Sequence, residues 1–243
     1  MASLLSRLRP GRSKRSGGTL APELTAFDQE TLRLAQPNTM TSPQRLQALV
    51  LAVRHIVRRE LPGAIVECGV WRGGSMFAAA RTLLDAGDST RELYLYDTYA
   101  GMPAPGEHDV RRTDGRSAAT LLADPREEQT RANAGLETVR RTMASSGYDS
   151  DRIHFVPGKV EDTIPGTAPA TIALLRLDTD WYSSTLHELE HLYSRLVPGG
   201  VLIIDDYGWW EGARRAVDEF FARHPQPPLL NVIDETGRIA VRI

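Results

Sequence analysis

The chain has 243 residues, of which 41% are hydrophobic and 25% charged, and this composition is typical of a folded globular protein. Its formal net charge of −2 argues against a nucleic-acid-binding protein. The single cysteine, Cys68, excludes an internal disulfide and favours a cytoplasmic location. We expect Cys68 itself to be a small buried strand residue.

The first 19 residues are basic and contain glycine and proline but little apolar surface. We interpret them as a flexible tail, with an anchor to an anionic surface as the alternative. They lack the apolar stretch of a secretory signal peptide, and no later apolar run approaches the roughly 20 residues of a membrane-spanning helix. The cations of the tail are Arg7, Arg9, Arg12, Lys14 and Arg15.

Residues 20–62 are predicted to form an N-terminal helical segment, and residues 63–243 the main domain. Thr41-Ser42-Pro43 is a typical helix start, because a hydroxyl cap precedes a proline in the first turn. Apolar residues at helical spacing continue to about Leu61. The predicted elements that follow are strand 64–70, helix 75–87, strand 92–99, helix 127–146, strands 152–158 and 171–178, helix 184–197, strand 201–207, helix 212–223 and a terminal hairpin around Glu235-Thr236-Gly237.

Residues 100–126 interrupt this order with a stretch rich in glycine, proline and charge. A long insertion in a compact domain is usually functional or disordered. We therefore interpret it as a flap over a site, or else as a merely flexible loop.

The strands are continuous apolar runs that alternate with helices. This pattern predicts a mostly parallel, doubly wound α/β sheet covered on both faces, with a C-terminal antiparallel hairpin. In such sheets ligands bind outside the carboxyl ends of the strands.

The stretch ECGVWRGGS (67–75) lies at a strand-to-helix turn. Its glycines allow a tight bend, and the free N–H groups where the helix starts near Ser75 attract an anion. The spacing fits neither the dinucleotide nor the triphosphate glycine motif. Asp97, at the end of the next strand, is placed to accept hydrogen bonds from a ribose. Together these features indicate a nucleoside ligand that carries a carboxylate, and S-adenosylmethionine is the obvious candidate.

Four aspartates end two strands that are neighbours along the chain: Asp178, Asp180, Asp205 and Asp206. Such a cluster raises at least one carboxyl pKa unless a cation neutralises it. No lysine or arginine lies in 177–185 or 201–211, so the sequence favours a divalent cation such as Mg²⁺. The alternative is structural, with Asp180 capping the next helix and Asp205 in a turn.

Aromatic residues surround these acids: Trp181, Tyr182, Tyr207, Trp209 and Trp210. They could form a substrate wall, anchor a helix or meet another subunit, and the sequence alone does not rank these possibilities.

The motifs ECGVWRGGS, YDTYAGMP, LDTDWYSST and IDDYGWWEGARRAVDEF resemble those of the macrocin O-methyltransferase family. The resemblance runs from about Thr39 to the last strand. It implies a class I S-adenosylmethionine-dependent methyltransferase fold, Mg²⁺ as cofactor, a hydroxyl of a sugar in a natural product or glycan as acceptor, and a homo-oligomer.

The resemblance also implies roles for individual residues. Asp178, Asp205 and Asp206 would hold the metal, and Asp180 would be the general base. The residues expected to contact the donor are Glu67, Gly69, Val70, Gly73, Ser75, Asp97, Thr98, Met40, Thr41, Val160 and Glu161.

Two other functions compete with this interpretation. The D-x-D of LDTD also resembles that of metal-dependent glycosyltransferases, although the glycine turn suits a carboxylate better than a diphosphate. A non-catalytic assembly protein that uses the tryptophan pair would leave the clustered acids unexplained.

Overall fold

The computed structural model describes residues 21–243, so the basic tail predicted for residues 1–19 lies outside the described part. The described chain begins with helix α1 (Ala26–Ala35), which starts with a capping box between Thr25 and Asp28. Helix α2 (Pro43–Arg58) starts as predicted, with Ser42 as its cap and proline at the first position. Among the described residues no helix is both long and apolar enough to cross a bilayer.

The remaining strands and helices follow the predicted order, but two short helices, at 118–123 and 160–163, were not predicted. In chain order the strands and α-helices are β1 (Ala64–Cys68), α3 (Gly74–Asp85), β2 (Leu93–Asp97), α4 (Ala118–Ala123), α5 (Leu136–Ala144), β3 (Ile153–Pro157), α6 (Val160–Thr163), β4 (Ile172–Leu177), α7 (Tyr182–Leu192), β5 (Leu196–Ile204), α8 (Glu211–Ala222), β6 (Asn231–Val232) and β7 (Arg238–Val241).

One seven-stranded sheet has the order β3-β2-β1-β4-β5-β7-β6. The first five strands are parallel, and β7 pairs antiparallel with β5 and with β6. The strand order reverses between β1 and β4, which is where doubly wound sheets open a crevice for ligands.

Two apolar layers cover the sheet because successive strand residues point to opposite faces. Ile65, Leu95 and Leu174 pack with α1, α2, α3 and α5 in one layer. Cys68, Leu175 and Ile204 pack with α7 and α8 in the other, and Cys68 is fully buried, as expected. The central strands are therefore buried on both faces and mostly apolar, with Glu67 in β1 and Arg176 in β4 as buried charged exceptions.

Two predictions about residues 100–146 need revision. The helix predicted over 127–146 is a short 3₁₀ turn at Glu128–Arg131 followed by α5, because Gly135 separates the two pieces. For residues 100–126 the structure argues against the flexible-loop alternative, since they contain α4 and form isolated β-bridges from Val110 to Ser117 and from Arg111 to Trp210, and the flap stays a prediction.

Candidate active site

The register of the sheet places four strand ends at one level. Cys68 lies opposite both Tyr96 and Leu177, and Leu177 lies opposite Ile204. The next residues along each strand are Gly69, Asp97, Asp178 and Asp205. The glycine turn, the expected ribose acid and the aspartate pairs therefore meet at one edge of the sheet.

A cleft of about 400 Å³ opens at this edge, a size that suits a small organic ligand. All the predicted site residues line it except Glu67 and Gly73. The predicted residues in its wall are Met40, Thr41, Gly69, Val70, Ser75, Asp97, Thr98, Val160, Glu161, Asp178, Asp180, Asp205 and Asp206.

The glycine turn is shaped by contacts beneath the cleft. Gly69 has φ of +84°, and a Cβ there would clash with the carbonyl oxygen of Asp178. Gly73 lies away from the cleft, where a Cβ would come within 2.9 Å of Val139 Cγ1 on α5. Only glycine allows β1 and β4 to end this close together.

Asp97 connects two turns of the cleft. Its carboxylate accepts hydrogen bonds from the backbone N–H groups of Val70 and Trp71, each at 2.9 Å, and of Tyr99 at 2.8 Å. Burial raises the pKa of Asp97, although these backbone hydrogen bonds oppose the shift. The carboxylate both fixes the turns and lines the cleft, so its structural role does not exclude contact with a ligand.

The segment between α1 and α2 closes one side of the cleft. Thr39 Oγ1 lies 3.3 Å from Ser75 Oγ at the start of α3. Thr41 Oγ1 donates to Asp205 Oδ1 at 3.0 Å, and the Met40 side chain is 46% exposed. The N-terminal helical segment therefore contacts both the glycine turn and the aspartates.

Asp178, Asp205 and Asp206 can each place a carboxylate oxygen within 4.8 Å of the other two. Within the described chain, Asp206 Oδ2 is buried and has no hydrogen-bond partner. Three carboxylates at this spacing, one of them with a free buried oxygen, are suitable oxygen ligands for a divalent cation.

Two arginines reach this cluster, so the expectation that no cationic side chain lies nearby is wrong. Arg176 comes from inside β4, where its buried guanidinium pairs with Glu67, with Asp178 at 2.8 Å and with Asp205 at 2.5 Å. Glu67 thus contacts Arg176 rather than the cleft. Arg176 precedes the stretch that the sequence analysis searched, within an otherwise apolar strand.

Arg45 supplies the second guanidinium from the first turns of α2. It pairs with Asp205, and its Nε donates to Asp234 Oδ2 in the terminal hairpin at 3.0 Å. Because 160 residues separate Arg45 from Asp205, sequence spacing gave no indication of this contact. The two arginines neutralise the acids only in part.

The pKa values show that burial disfavours the ionised forms of these acids. Burial raises the pKa of Asp178 and of Asp206 well above the usual range, and the charge of Arg176 opposes this only in part for Asp178. Burial also raises the pKa of Glu67 to about 7. The pKa of Asp180 rises to about 7 through burial and through the charges of Asp178 and Asp205.

Asp180 adopts φ of +70°, an unusual conformation for a residue other than glycine. It lies in the turn between β4 and α7, and it does not cap α7, whose N-cap is Trp181. The two tryptophans of this region differ in exposure. Trp210 is buried against Trp181, with ring centroids 4.9 Å apart, whereas Trp209 is 37% exposed, and both line the cleft.

Residues 23–241 match the family described as Macrocin-O-methyltransferase (TylF). The chain belongs to this family. It is therefore an O-methyltransferase, and its architecture is the class I S-adenosylmethionine-dependent methyltransferase fold.

Individual relatives agree with this assignment. The 8-demethyl-8-(2,3-dimethoxy-alpha-L-rhamnosyl)-tetracenomycin-C 4'-O-methyltransferase of Streptomyces olivaceus is 36% identical over 203 residues, which cover 82% of this chain and 74% of that protein. The mycinamicin III 3''-O-methyltransferase of Micromonospora griseorubida is 34% identical over 82% of this chain and 76% of that protein. The solved structure of the O-methyltransferase NovP superposes with a TM-score of 0.73 at 33% identity, covering 84% of this chain and 82% of NovP.

In this macrocin O-methyltransferase family member, the sequence did not predict Arg45 and Arg176, which pair with the aspartates, or Asp109, which accepts a hydrogen bond from the N–H of Tyr182 at 2.8 Å. A charged residue inside an apolar strand was the available signal for Arg176, because a buried guanidinium needs acidic partners. Asp109, buried in the 100–126 segment, has no comparable sequence signal.

Proposed function

We propose that the protein transfers the methyl group of S-adenosylmethionine to a hydroxyl of a sugar-bearing acceptor, with the aid of Mg²⁺. The observation that carries the proposal is the shared cleft. Its wall contains the glycine turn and Asp97 together with three carboxylates that have metal-ligand spacing.

The donor would lie across the ends of β1 and β2. Its amino-acid part would face the start of α3 near Ser75, where N–H groups attract a carboxylate. Its ribose would face Asp97, and its adenine would lie near Val160 and Glu161, which line the same cleft. This orientation directs the methyl group toward the aspartates.

Asp178, Asp205 and Asp206 are the proposed metal ligands. Arg45 and Arg176 pair with four acids, Glu67, Asp178, Asp205 and Asp234, so the ionised cluster carries more negative than positive charge, and a divalent cation would reduce this excess. The unpartnered oxygen of Asp206 supports the fit. A cation bound here would act as a Lewis acid and lower the pKa of a nearby hydroxyl.

Asp180 is the proposed general base. Its pKa of about 7 in the metal-free protein is closer to that of an efficient base at neutral pH than the usual value of a carboxyl. Its position two residues after Asp178 places it beside the expected ligands and inside the cleft. Asp180 would accept the proton that the acceptor hydroxyl loses as its oxygen attacks the methyl group.

The acceptor would bind beside the aspartates, against the wall formed by Met102, Trp209 and the 100–126 segment. Sugars present apolar C–H faces that stack on indole rings, and Trp209 offers an exposed ring here. The sugar-containing acceptors in the names of the relatives support this class of substrate. A homo-oligomeric state and a cytoplasmic location stay predictions.

The first test is isothermal titration calorimetry of S-adenosylhomocysteine binding, in EDTA and in Mg²⁺. The second is methyl transfer from S-adenosylmethionine to rhamnosides and sugar nucleotides, followed by mass spectrometry. We expect S-adenosylhomocysteine to bind in both solutions, and product with one added CH₂ only when Mg²⁺ is present.

Each negative outcome removes a different part of the proposal. Absence of S-adenosylhomocysteine binding would exclude the proposed donor site in this cleft. Equal turnover in EDTA and in Mg²⁺ would exclude the metal while leaving the methyl transfer in place.

A further inference from the structure

The turn that carries Asp180 depends on contacts outside its own sequence. Asp180 has φ of +70°, and such a conformation persists only where neighbouring groups hold it. Within the turn, the N–H of Trp181 donates to the carbonyl oxygen of Thr179 at 2.8 Å. Before Asp180, the N–H of Asp178 donates to the carbonyl oxygen of Cys68 at 2.8 Å, and Thr179 Oγ1 donates to Glu188 Oε1 at 2.9 Å. After Asp180, the turn is joined to the 100–126 segment.

Two hydrogen bonds join this segment to the residues directly after Asp180. Trp181 Nε1 donates to the carbonyl oxygen of Pro103 at 3.1 Å. The backbone N–H of Tyr182, the first residue of α7, donates to Asp109 Oδ1 at 2.8 Å. The second bond fixes the chain two residues from the proposed base.

Asp109 is well suited to hold this position. Its side chain is fully buried, and its second oxygen, Oδ2, accepts from the N–H of Gly106 at 2.7 Å. A Cβ at Gly212 on α8 would clash with Oδ1, so α8 packs directly against the carboxylate. Asp109 lies outside the cleft wall, and therefore direct contact with a ligand does not explain its burial.

The same segment is also joined to the second aspartate turn. The N–H of Arg112 donates to the carbonyl oxygen of Trp209, and the N–H of Glu211 donates to that of Val110, both at 2.9 Å. The N–H of Trp209 in turn donates to the carbonyl oxygen of Asp206 at 3.0 Å. Residues 109–112 thus connect the Asp180 turn with the turn that follows Asp206.

We propose that Asp109 is a positioning residue for the reaction, and that it acts by fixing the turn 178–182 and so the carboxylate of Asp180. The inference rests on the proposed function for the role of Asp180. Whether Asp109 holds this turn can be measured on the protein alone, without a substrate that accepts the methyl group. The 100–126 segment, which forms part of the cleft wall, and the turn that carries Asp180 would then be held together by Asp109.

The deciding experiment is hydrogen–deuterium exchange of the full-length protein, measured on peptides that cover residues 178–189. In Asp109→Ala the Tyr182 N–H loses its acceptor, and we expect its exchange to accelerate by about tenfold or more. Asp109→Asn keeps one acceptor oxygen, so we expect it to restore much of the protection. S-adenosylhomocysteine affinity should change little, because Asp109 is outside the cleft.

Asp124→Ala is the matched control. Asp124 is in the same segment and pairs with Arg116 and Arg126, but the contacts of its side chain do not include residues 178–182. We expect this variant to leave exchange over 178–189 unchanged. If Asp109→Ala leaves that exchange unchanged, or accelerates exchange equally throughout the protein, the proposal is wrong.

A double-mutant cycle tests whether the effect on turnover passes through Asp180. We expect Asp109→Ala to lower kcat in the wild-type background and to cause no further loss when Asp180 is already asparagine. Independent, multiplicative losses would overturn the link to the base. Failure of the wild-type protein to bind S-adenosylhomocysteine would instead count against the proposed function, since the exchange experiment does not depend on the donor.

Discussion

At the scale of single residues, Asp180 allows a sharp test of the proposed base. Asparagine tolerates left-handed backbone conformations well, so Asp180→Asn should keep the turn at φ near +70° while it removes the basic oxygen. We expect S-adenosylhomocysteine affinity to stay unchanged and kcat to fall by about 10²-fold or more. Calorimetry and a methyl-transfer assay measure the two effects.

The control for this variant is Asp151→Asn, an exposed aspartate before β3. It should match the wild-type protein in both assays. Near-normal turnover of Asp180→Asn would exclude Asp180 as the base, and another group in the cleft would then need to accept the proton.

Trp209 and Trp210 are adjacent in sequence, and yet we expect different effects from their replacement. Trp209→Ala should raise the KM for the acceptor and leave donor affinity and folding stability nearly unchanged, because the indole is exposed in the cleft. Trp210→Ala should destabilise the fold by about 3–5 kcal/mol, because its ring is buried against Trp181.

Steady-state kinetics with an acceptor from the screen, together with urea unfolding, distinguish these effects. Trp209→Phe should restore part of the acceptor affinity, since it keeps an aromatic surface. Equal losses of stability in the two alanine variants would contradict the division of roles between the tryptophans.

The aspartates of the site were predictable from the sequence, but their arginine partners were not. Asp178, Asp205 and Asp206 were predictable because acids directly follow apolar runs, and strand ends of a parallel sheet share an edge. The two arginine partners of Asp205 were not predictable. Arg45 lies on a helix, 160 residues from Asp205 in the sequence, and Arg176 reads in the sequence only as a charged residue within an apolar strand. Long-range ion pairs leave no local pattern.

At the scale of elements, the meeting of β1 and β4 depends on Gly69. Gly69 and Gly87 have the same φ of +84°, but a Cβ at Gly87 would meet nothing within 4 Å. Gly87→Ala should therefore cost only backbone strain, about 1–2 kcal/mol. Gly69→Ala should lower the free energy of unfolding by more, because its Cβ clashes with the carbonyl of Asp178.

The difference in unfolding free energy between Gly69→Ala and Gly87→Ala measures the cost of the clash, because both variants have the same backbone strain. If the clash also displaces Asp178, Gly69→Ala should bind Mg²⁺ more weakly than Gly87→Ala, and calorimetry with the metal alone can measure this. Equal unfolding free energies for the two variants would show that the strand ends separate easily, and would weaken the argument that Gly69 fixes their spacing.

The elements themselves were largely predictable, and the failures have local causes. The Ser42 cap with Pro43 defined the start of α2. The helix expected over 127–146 is broken because Gly135 interrupts it, and the 3₁₀ turn before it ends at Ala132 in a left-handed conformation. The structure of residues 100–126 depends on Asp109 and on backbone pairing with Trp209, Trp210 and Glu211, which composition does not encode.

At the scale of the whole molecule, the buried acids link stability, pH and metal binding. The pKa values of Glu67 and Asp180 are about 7, above the values near 4 that these side chains have when unfolded. Between these limits the folded state holds more protons than the unfolded state. The free energy of unfolding of the metal-free protein should therefore fall as the pH rises from about 5 to about 7.

Carboxyls with lowered pKa values do not offset this trend. Asp114, for example, has a pKa of about 2 because Arg111 donates to it, so it is ionised throughout this range in both states. Its contribution is lost only in more acidic solution, below the pKa of the unfolded side chain. Among the carboxyls, the buried acids with raised pKa values therefore set the trend above pH 5.

Mg²⁺ should reverse the trend, because metal ligands must be deprotonated and binding to the folded state alone stabilises it. In EDTA we expect the Tm to fall by several degrees between pH 5.5 and pH 8, since about 1 kcal/mol corresponds to about 2–4 °C for a domain of this size. In Mg²⁺ the Tm at pH 8 should recover, whereas that at pH 5.5 should change little. Asp206→Asn, which loses the unpartnered carboxylate oxygen, should lack the recovery. A Tm in EDTA that rises over this interval would mean that Arg45 and Arg176 already neutralise the cluster, and the charge argument for a divalent cation would then fail.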